Sequence, residues 1–122
     1  MTFGSGDIDP SQSFGGASPA RAPLNQVTFS HRELKRILDL YGRMVAAGEW
    51  RDYAIDYLKD RAVFSVFRRA AEIPIYRIEK DPRLSRKQGA YSVISATGLI
   101  LRRGQELDRV LRVLDKQLSV VN

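Results

Sequence analysis

The chain has 122 residues, no cysteine, one histidine and a net charge of +6 at neutral pH. This length suits a single small domain, and the lack of cysteine excludes disulfides and cysteine-based zinc sites. No apolar run approaches the roughly 20 residues that a membrane-spanning helix needs, and the N-terminus lacks the basic and apolar regions of a secretory signal. We therefore expect a cytoplasmic protein with no membrane partner.

The first 26 residues differ in composition from the rest of the chain. They are rich in Gly, Ser and Pro, and their few apolar residues are isolated. Such a segment cannot bury enough surface to offset the entropy that ordering costs. We predict that residues 1–26 form a disordered tail and that residues 27–122 form one domain.

A helix is predicted in VTFSHRELKRILDLYGRMVAAGEW. Ser30 followed by Glu33 forms a capping box, in which each side chain bonds the exposed backbone N–H of the other residue. Apolar residues then recur at helical spacing. They are Leu34, Ile37, Leu38, Tyr41 and Val45.

From Trp50 onward the apolar period changes to two, which is typical of strands. In WRDYAIDYLKD, Tyr53, Ile55 and Tyr57 alternate with Asp52 and Asp56. Further strands are predicted in RAVFSVFRR, in IPIYRIEKD, and in a hairpin made of AYSVISA and LILRR.

A second amphipathic helix is predicted in QELDRVLRVLDKQL, with leucine and valine on one face and alternating charges on the other. The connections are short, which favours antiparallel neighbours. The fold class is therefore α+β, with an N-terminal helix, an antiparallel sheet of four or five strands and a C-terminal helix. Both helices are expected on one face of the sheet.

Catalytic motifs are absent from the sequence. His31 is the single histidine, and neither a nucleophile elbow nor a glycine-rich phosphate loop occurs. Asp52, Asp56 and Asp60 share one strand face, but cationic residues are interleaved and the spacing matches no metal-binding loop. We expect a protein that acts by binding, with no cofactor and no metal. Carboxylate chemistry around Asp52 and Asp56 is the least supported alternative.

The excess positive charge is concentrated in residues 82–104, PRLSRKQGAYSVISATGLILRRG. This segment has no Asp or Glu and contains Arg83, Arg86, Lys87, Arg102 and Arg103. Its first half, DPRLSRKQGAY, has the turn residues of a loop between strands. An exposed loop of this kind would present its cations to an anionic partner.

The favoured hypothesis is a polyanion-binding module that contacts the backbone of RNA or DNA. Its predicted binding residues are Arg68, Arg69, Arg83, Arg86, Lys87, Tyr91, Arg102 and Arg103. Tyr91 is included because its ring could stack on a base. The alternatives are a solubilising loop, an acidic protein partner, and a protein-interaction or homo-oligomeric module that uses a sheet edge or an aromatic face.

The run LYGRMVAAGEWRDYAIDYLKDRAVFSVFRRAAEIPIYRIEKDPRLSRKQGAYSV resembles a family of short, basic alphaproteobacterial proteins defined as a domain of unknown function. The resemblance extends from about Val27 to Asp115. It implies a bacterial cytoplasmic protein. It brings no reaction, ligand or catalytic residue to the chain.

Overall fold

The computed structural model describes residues 26–68 and 73–121, with side chains described as far as Asp115. The predicted tail, apart from Gln26, lies outside the described residues, and so does Arg69. Its disorder and the proposed domain boundary therefore stay predictions.

Along the chain, one α-helix precedes the described sheet and one follows it. They are α1 (His31–Ala46) and α2 (Leu107–Val121). The strands between them are β1 (Asp52–Tyr57), β2 (Ala62–Phe67), β3 (Tyr76–Lys80), β4 (Tyr91–Ser95) and β5 (Ile100–Gly104). They lie in the order β1-β2-β3-β4-β5, and every neighbouring pair is antiparallel. The predicted α+β fold is confirmed.

The predicted capping box fixes the start of α1. The Ser30 hydroxyl accepts a hydrogen bond from the Glu33 N–H at 3.1 Å, and the Glu33 carboxylate accepts one from the Ser30 N–H at 2.7 Å. Two of the N–H groups that a helix start leaves unpaired are thereby satisfied.

The hydrophobic core lies between the helices and one face of the sheet, as the alternating patterns predict. The helices contribute the fully buried residues Ile37, Leu40, Leu111 and Leu114, and the sheet contributes Phe64, Val66, Ile78 and Val93. On the opposite face of β2, Val63 and Ser65 are also buried. Both faces of β2 are therefore covered.

Two ion pairs show how the helices are aligned. Arg36 pairs with Asp108 at 2.7 Å, and Arg43 pairs with Asp115 at 3.1 Å. The second pair lies seven residues after the first on each helix, which is about two helical turns. The helices therefore run side by side in the same direction, with both N-termini at one end of the sheet.

Candidate functional site

The basic loop begins with a 3-10 helix, Pro82–Leu84, that is capped by Asp81. The Arg83 guanidinium donates hydrogen bonds to Asp81 at 3.1 Å and to Asp60 at 3.4 Å. The side-chain bond from Arg83 lowers the pKa of Asp81, although partial burial opposes the shift. Two carboxylates thus compensate the charge of Arg83, and the second comes from the β1–β2 turn.

The second half of this loop packs against the end of β5. Gly89 has φ +104°, and a Cβ atom at that position would lie 2.2 Å from the backbone of Gly104. The Gln88 side chain accepts a hydrogen bond from the Arg103 guanidinium. Just after β5, the Gln105 side chain donates a hydrogen bond to the backbone oxygen of Ser85 in the loop.

These contacts bring two cationic segments together. Arg86 and Lys87 lie between Ser85 and Gln88, and these two flanking residues bond Gln105 and Arg103 at the end of β5. We call these four cationic residues the basic corner: Arg86, Lys87, Arg102 and Arg103.

The charges of the basic corner lack carboxylate partners in the part of the chain that the structure describes. Arg86, Lys87 and Arg102 are exposed. Arg103 is half-buried and donates to neutral groups, the Ser92 hydroxyl at 3.0 Å and the Gln88 amide oxygen. Four positive charges therefore remain at one end of the sheet.

The other predicted site residues lie elsewhere. Tyr91 is half-buried against the core, and its hydroxyl donates to Glu33. Burial and the bond to Glu33 raise the pKa of Tyr91 to about 12. Arg68 follows β2 at the opposite end of the sheet and pairs with Glu49 at 3.3 Å. Arg69 lies outside the described residues.

Sequence reasoning missed an open groove of about 600 Å³ between the first turns of the two helices. Its lining is mixed in charge, because Arg32 and Lys35 alternate with Glu33 and Glu106. Helix alignment creates this groove, and nothing in the two distant helix starts signals it. The mixed lining gives no preference for an anionic or a cationic ligand.

Neither a metal-binding cluster nor a helix suited to cross a membrane occurs in the described ranges 26–68 and 73–121. No group of three or more histidine or carboxylate side chains there is placed to hold a metal ion. No helix in those ranges is long and apolar enough to cross a membrane.

Comparison with known families gives a match over residues 27–111 to a family described as a protein of unknown function, DUF2794. This range holds α1, the whole sheet and the first turn of α2. The chain belongs to the DUF2794 family. The resemblance to a domain of unknown function is thus confirmed, while the alphaproteobacterial origin stays a prediction. Searches of curated proteins and of solved structures gave no significant match.

The DUF2794 match includes every residue of the basic corner and both edges of the sheet. It assigns them no role, because the family carries no described activity.

Proposed function

We propose that this protein binds the phosphate backbone of RNA or DNA through the basic corner, and that it acts by binding rather than by catalysis. The observation that carries the proposal is the packing of Gly89 on Gly104. This contact holds the loop that carries Arg86 and Lys87 against the end of β5, which carries Arg102 and Arg103. Within the described ranges none of these four cations has an acidic partner, and Arg103 donates to neutral groups.

The proposed surface is smaller than the one suggested by the sequence. Arg83 is omitted because Asp81 and Asp60 already neutralise it. Tyr91 is omitted because its hydroxyl and part of its ring are engaged on the helix side of the sheet. Recognition by the remaining cations is electrostatic and independent of base sequence.

Binding of this kind depends strongly on salt. Each phosphate that a cation neutralises releases counterions, and log K falls by about 0.7 per phosphate per tenfold salt change on single strands. Arg102 and Arg103 project to opposite faces of β5, so at most three of the four cations share one face. If three cations contact phosphates, the slope on single-stranded RNA is about −2.1. The slope of log K against log salt concentration therefore reports the number of phosphate contacts.

The test is fluorescence anisotropy with a dye-labelled 20-nucleotide polyuridine RNA and a labelled duplex DNA at two salt concentrations. The double variant Arg86→Gln/Lys87→Gln should weaken binding at low salt by about tenfold or more and reduce the RNA slope by about 1.4. The matched control, Arg32→Gln/Arg112→Gln, removes the same charge from exposed positions on the two helices. It should change affinity by less than about threefold.

Three results would contradict the proposal. The parent protein could fail to bind either nucleic acid at low salt, where electrostatic attraction is strongest. The corner variant could bind as tightly as the parent. Equal losses in the corner and control variants would show that net charge, and not the basic corner, attracts the polyanion.

A further inference from the structure

Among the residues that the structure describes, the outer edge of β1 is regular and open to pairing. β1 pairs with β2 over six residues without a shift in register, and no described strand pairs with its other side. At the other edge of the sheet, the pairing of β5 is interrupted by an irregularity at Val93/Ile94. Bulges of this kind protect an edge from further strand addition, and the β1–β2 pairing contains none. Just past the end of β1, the Val27 N–H donates to the Leu58 carbonyl at 2.9 Å.

The backbone of β1 offers a row of hydrogen-bonding groups to that edge. At the turn into β2, the Leu58 N–H donates to the Arg61 carbonyl at 2.8 Å. Bonded and non-bonded pairs alternate along an antiparallel ladder. The N–H and C=O groups of Tyr53, Ile55 and Tyr57 are therefore directed away from β2.

The side of β1 that faces away from the helices is acidic. Asp52 and Asp56 are exposed there, and neither forms an ion pair with any residue in the described ranges. Four residues of strand separate them by about 13 Å. The neighbouring cations, Arg51 and Lys59, lie just beyond the two ends of the strand.

The side of β1 that faces the helices is aromatic. Tyr53 stacks on Phe64 with ring centroids 4.9 Å apart and meets Tyr41 edge-on at 4.9 Å. Its side chain is nevertheless 44% exposed. Two rings thus fix the Tyr53 ring beside the open edge, where it offers apolar surface to an additional strand.

We propose that the β1 edge binds an extended peptide segment of another protein, which joins the sheet as a sixth strand. The segment carries two cationic residues four positions apart, which meet Asp52 and Asp56. The residues on the other face of this segment are apolar, and they lie on the same side of the sheet as Tyr53. This proposal uses different residues from the basic corner and stands independently of it.

Charge favours a basic segment over a second copy of the chain. Two β1 strands paired with each other would bring the carboxylates of both copies onto one face, where like charges repel. The β5 edge of a second copy is cationic but irregular in register. A separate basic segment can pair with the carboxylates of Asp52 and Asp56 and can also extend the backbone hydrogen-bond ladder of β1.

The probe is a labelled heptapeptide, acetyl-Lys-Val-Thr-Val-Lys-Val-Thr-amide, titrated into the full chain at low salt. One control peptide has the same composition with lysines three positions apart, so that they face opposite sides of a strand. A second is N-methylated at alternate valines, which removes backbone donors. Both should bind about tenfold more weakly than the probe, or not at all.

The matched protein variants are Asp52→Asn/Asp56→Asn and, as a control with the same charge change, Asp39→Asn/Glu106→Gln. The first should lose about tenfold in affinity for the probe, and the control should lose less than about threefold. Equal binding of the three peptides, or equal losses in the two variants, would overturn the proposal. So would a homodimer in sedimentation velocity that the first variant alone strengthens, because the occupant would then be a second copy whose carboxylates repel across the paired strands.

Discussion

At the scale of single residues, Glu33 connects the start of α1 to two strands. Its carboxylate accepts hydrogen bonds from the Ser30 N–H, from Lys80 at 2.8 Å and from the Tyr91 hydroxyl. Burial alone would raise the pKa of Glu33, but the bonds from Lys80, Tyr91 and Ser30 together hold it below its ordinary value of 4.5. The ionised form of Glu33 therefore stabilises the fold.

Replacing Glu33 by Gln should lower the free energy of unfolding by about 2 kcal/mol at pH 7, because Lys80 loses its ionic partner and the capping box is weakened. A carboxyl group with a depressed pKa contributes its stability above the unfolded-state pKa and loses it as the pH falls. The difference between parent and variant should therefore narrow below pH 4.5. Urea denaturation from pH 7 to pH 3 measures both effects.

The control for this prediction is Glu106→Gln. The Glu106 side chain is 67% exposed, and among the described residues it pairs only with Arg109, three residues along the chain. Its loss should cost less than about 0.5 kcal/mol. A difference between the parent and the Glu33 variant that stays constant down to pH 3 would show that the ionised carboxylate is not what stabilises the fold.

Gly89 is the residue on which the basic corner depends. A side chain there would meet the backbone of Gly104, which cannot move without shifting β5. Gly89→Ala should therefore destabilise the protein by about 3 kcal/mol or more and weaken RNA binding as the loop separates from the strand. Urea denaturation and anisotropy on the same samples measure the two effects.

Gly98→Ala separates backbone strain from this steric clash. Gly98 also has a positive φ, +91°, but no atom of the described residues lies within 4 Å of a Cβ built at that position. Its substitution should cost about 1 to 2 kcal/mol and leave RNA binding unchanged. If both alanine variants lost the same stability, the contact with Gly104 would not be what fixes the loop.

At the scale of elements, the sequence predicts those features that depend on neighbouring residues. Ser30 and Glu33 identify the start of α1 because a capping box spans four residues. Tyr53, Ile55 and Tyr57 identify the inward face of β1 because side chains alternate along a strand. These local rules also predict the order of elements and the antiparallel sheet.

Contacts between distant segments could not be predicted in this way. Asp60 lies 23 residues before Arg83, and no periodicity links the β1–β2 turn to the basic loop. The packing of Gly89 on Gly104 and the pairing of Arg36 with Asp108 likewise appear only after the chain folds. The sequence therefore located the basic segment but not which of its charges remain uncompensated.

At the scale of the whole molecule, the two edges of the sheet have opposite character. The β1 edge carries Asp52 and Asp56, and the β5 edge carries Arg102 and Arg103. Four inter-strand spacings of about 4.8 Å place the edges about 19 Å apart. This separation exceeds the Debye length of about 8 Å at physiological ionic strength, so charges at one edge are largely screened from the other.

If both proposals hold, one molecule should bind RNA and a basic peptide at the same time. Saturation with polyuridine RNA should change the affinity for the heptapeptide by less than about twofold at physiological salt, because screening separates the sites. A titration of labelled peptide into protein with and without RNA tests this. The protein is held well above the RNA dissociation constant and the RNA is added at one equivalent, so that the site is filled while little free RNA remains to attract the peptide.

The variants make this experiment decisive. Arg86→Gln/Lys87→Gln should weaken RNA binding by about tenfold or more and leave peptide binding intact. Asp52→Asn/Asp56→Asn should weaken peptide binding by about tenfold and leave RNA binding intact. Competition between the ligands that persists at physiological salt would place both at one surface. Because the two edges are separated by three intervening strands, such competition would require either the basic corner or the β1 edge to be abandoned as a binding site.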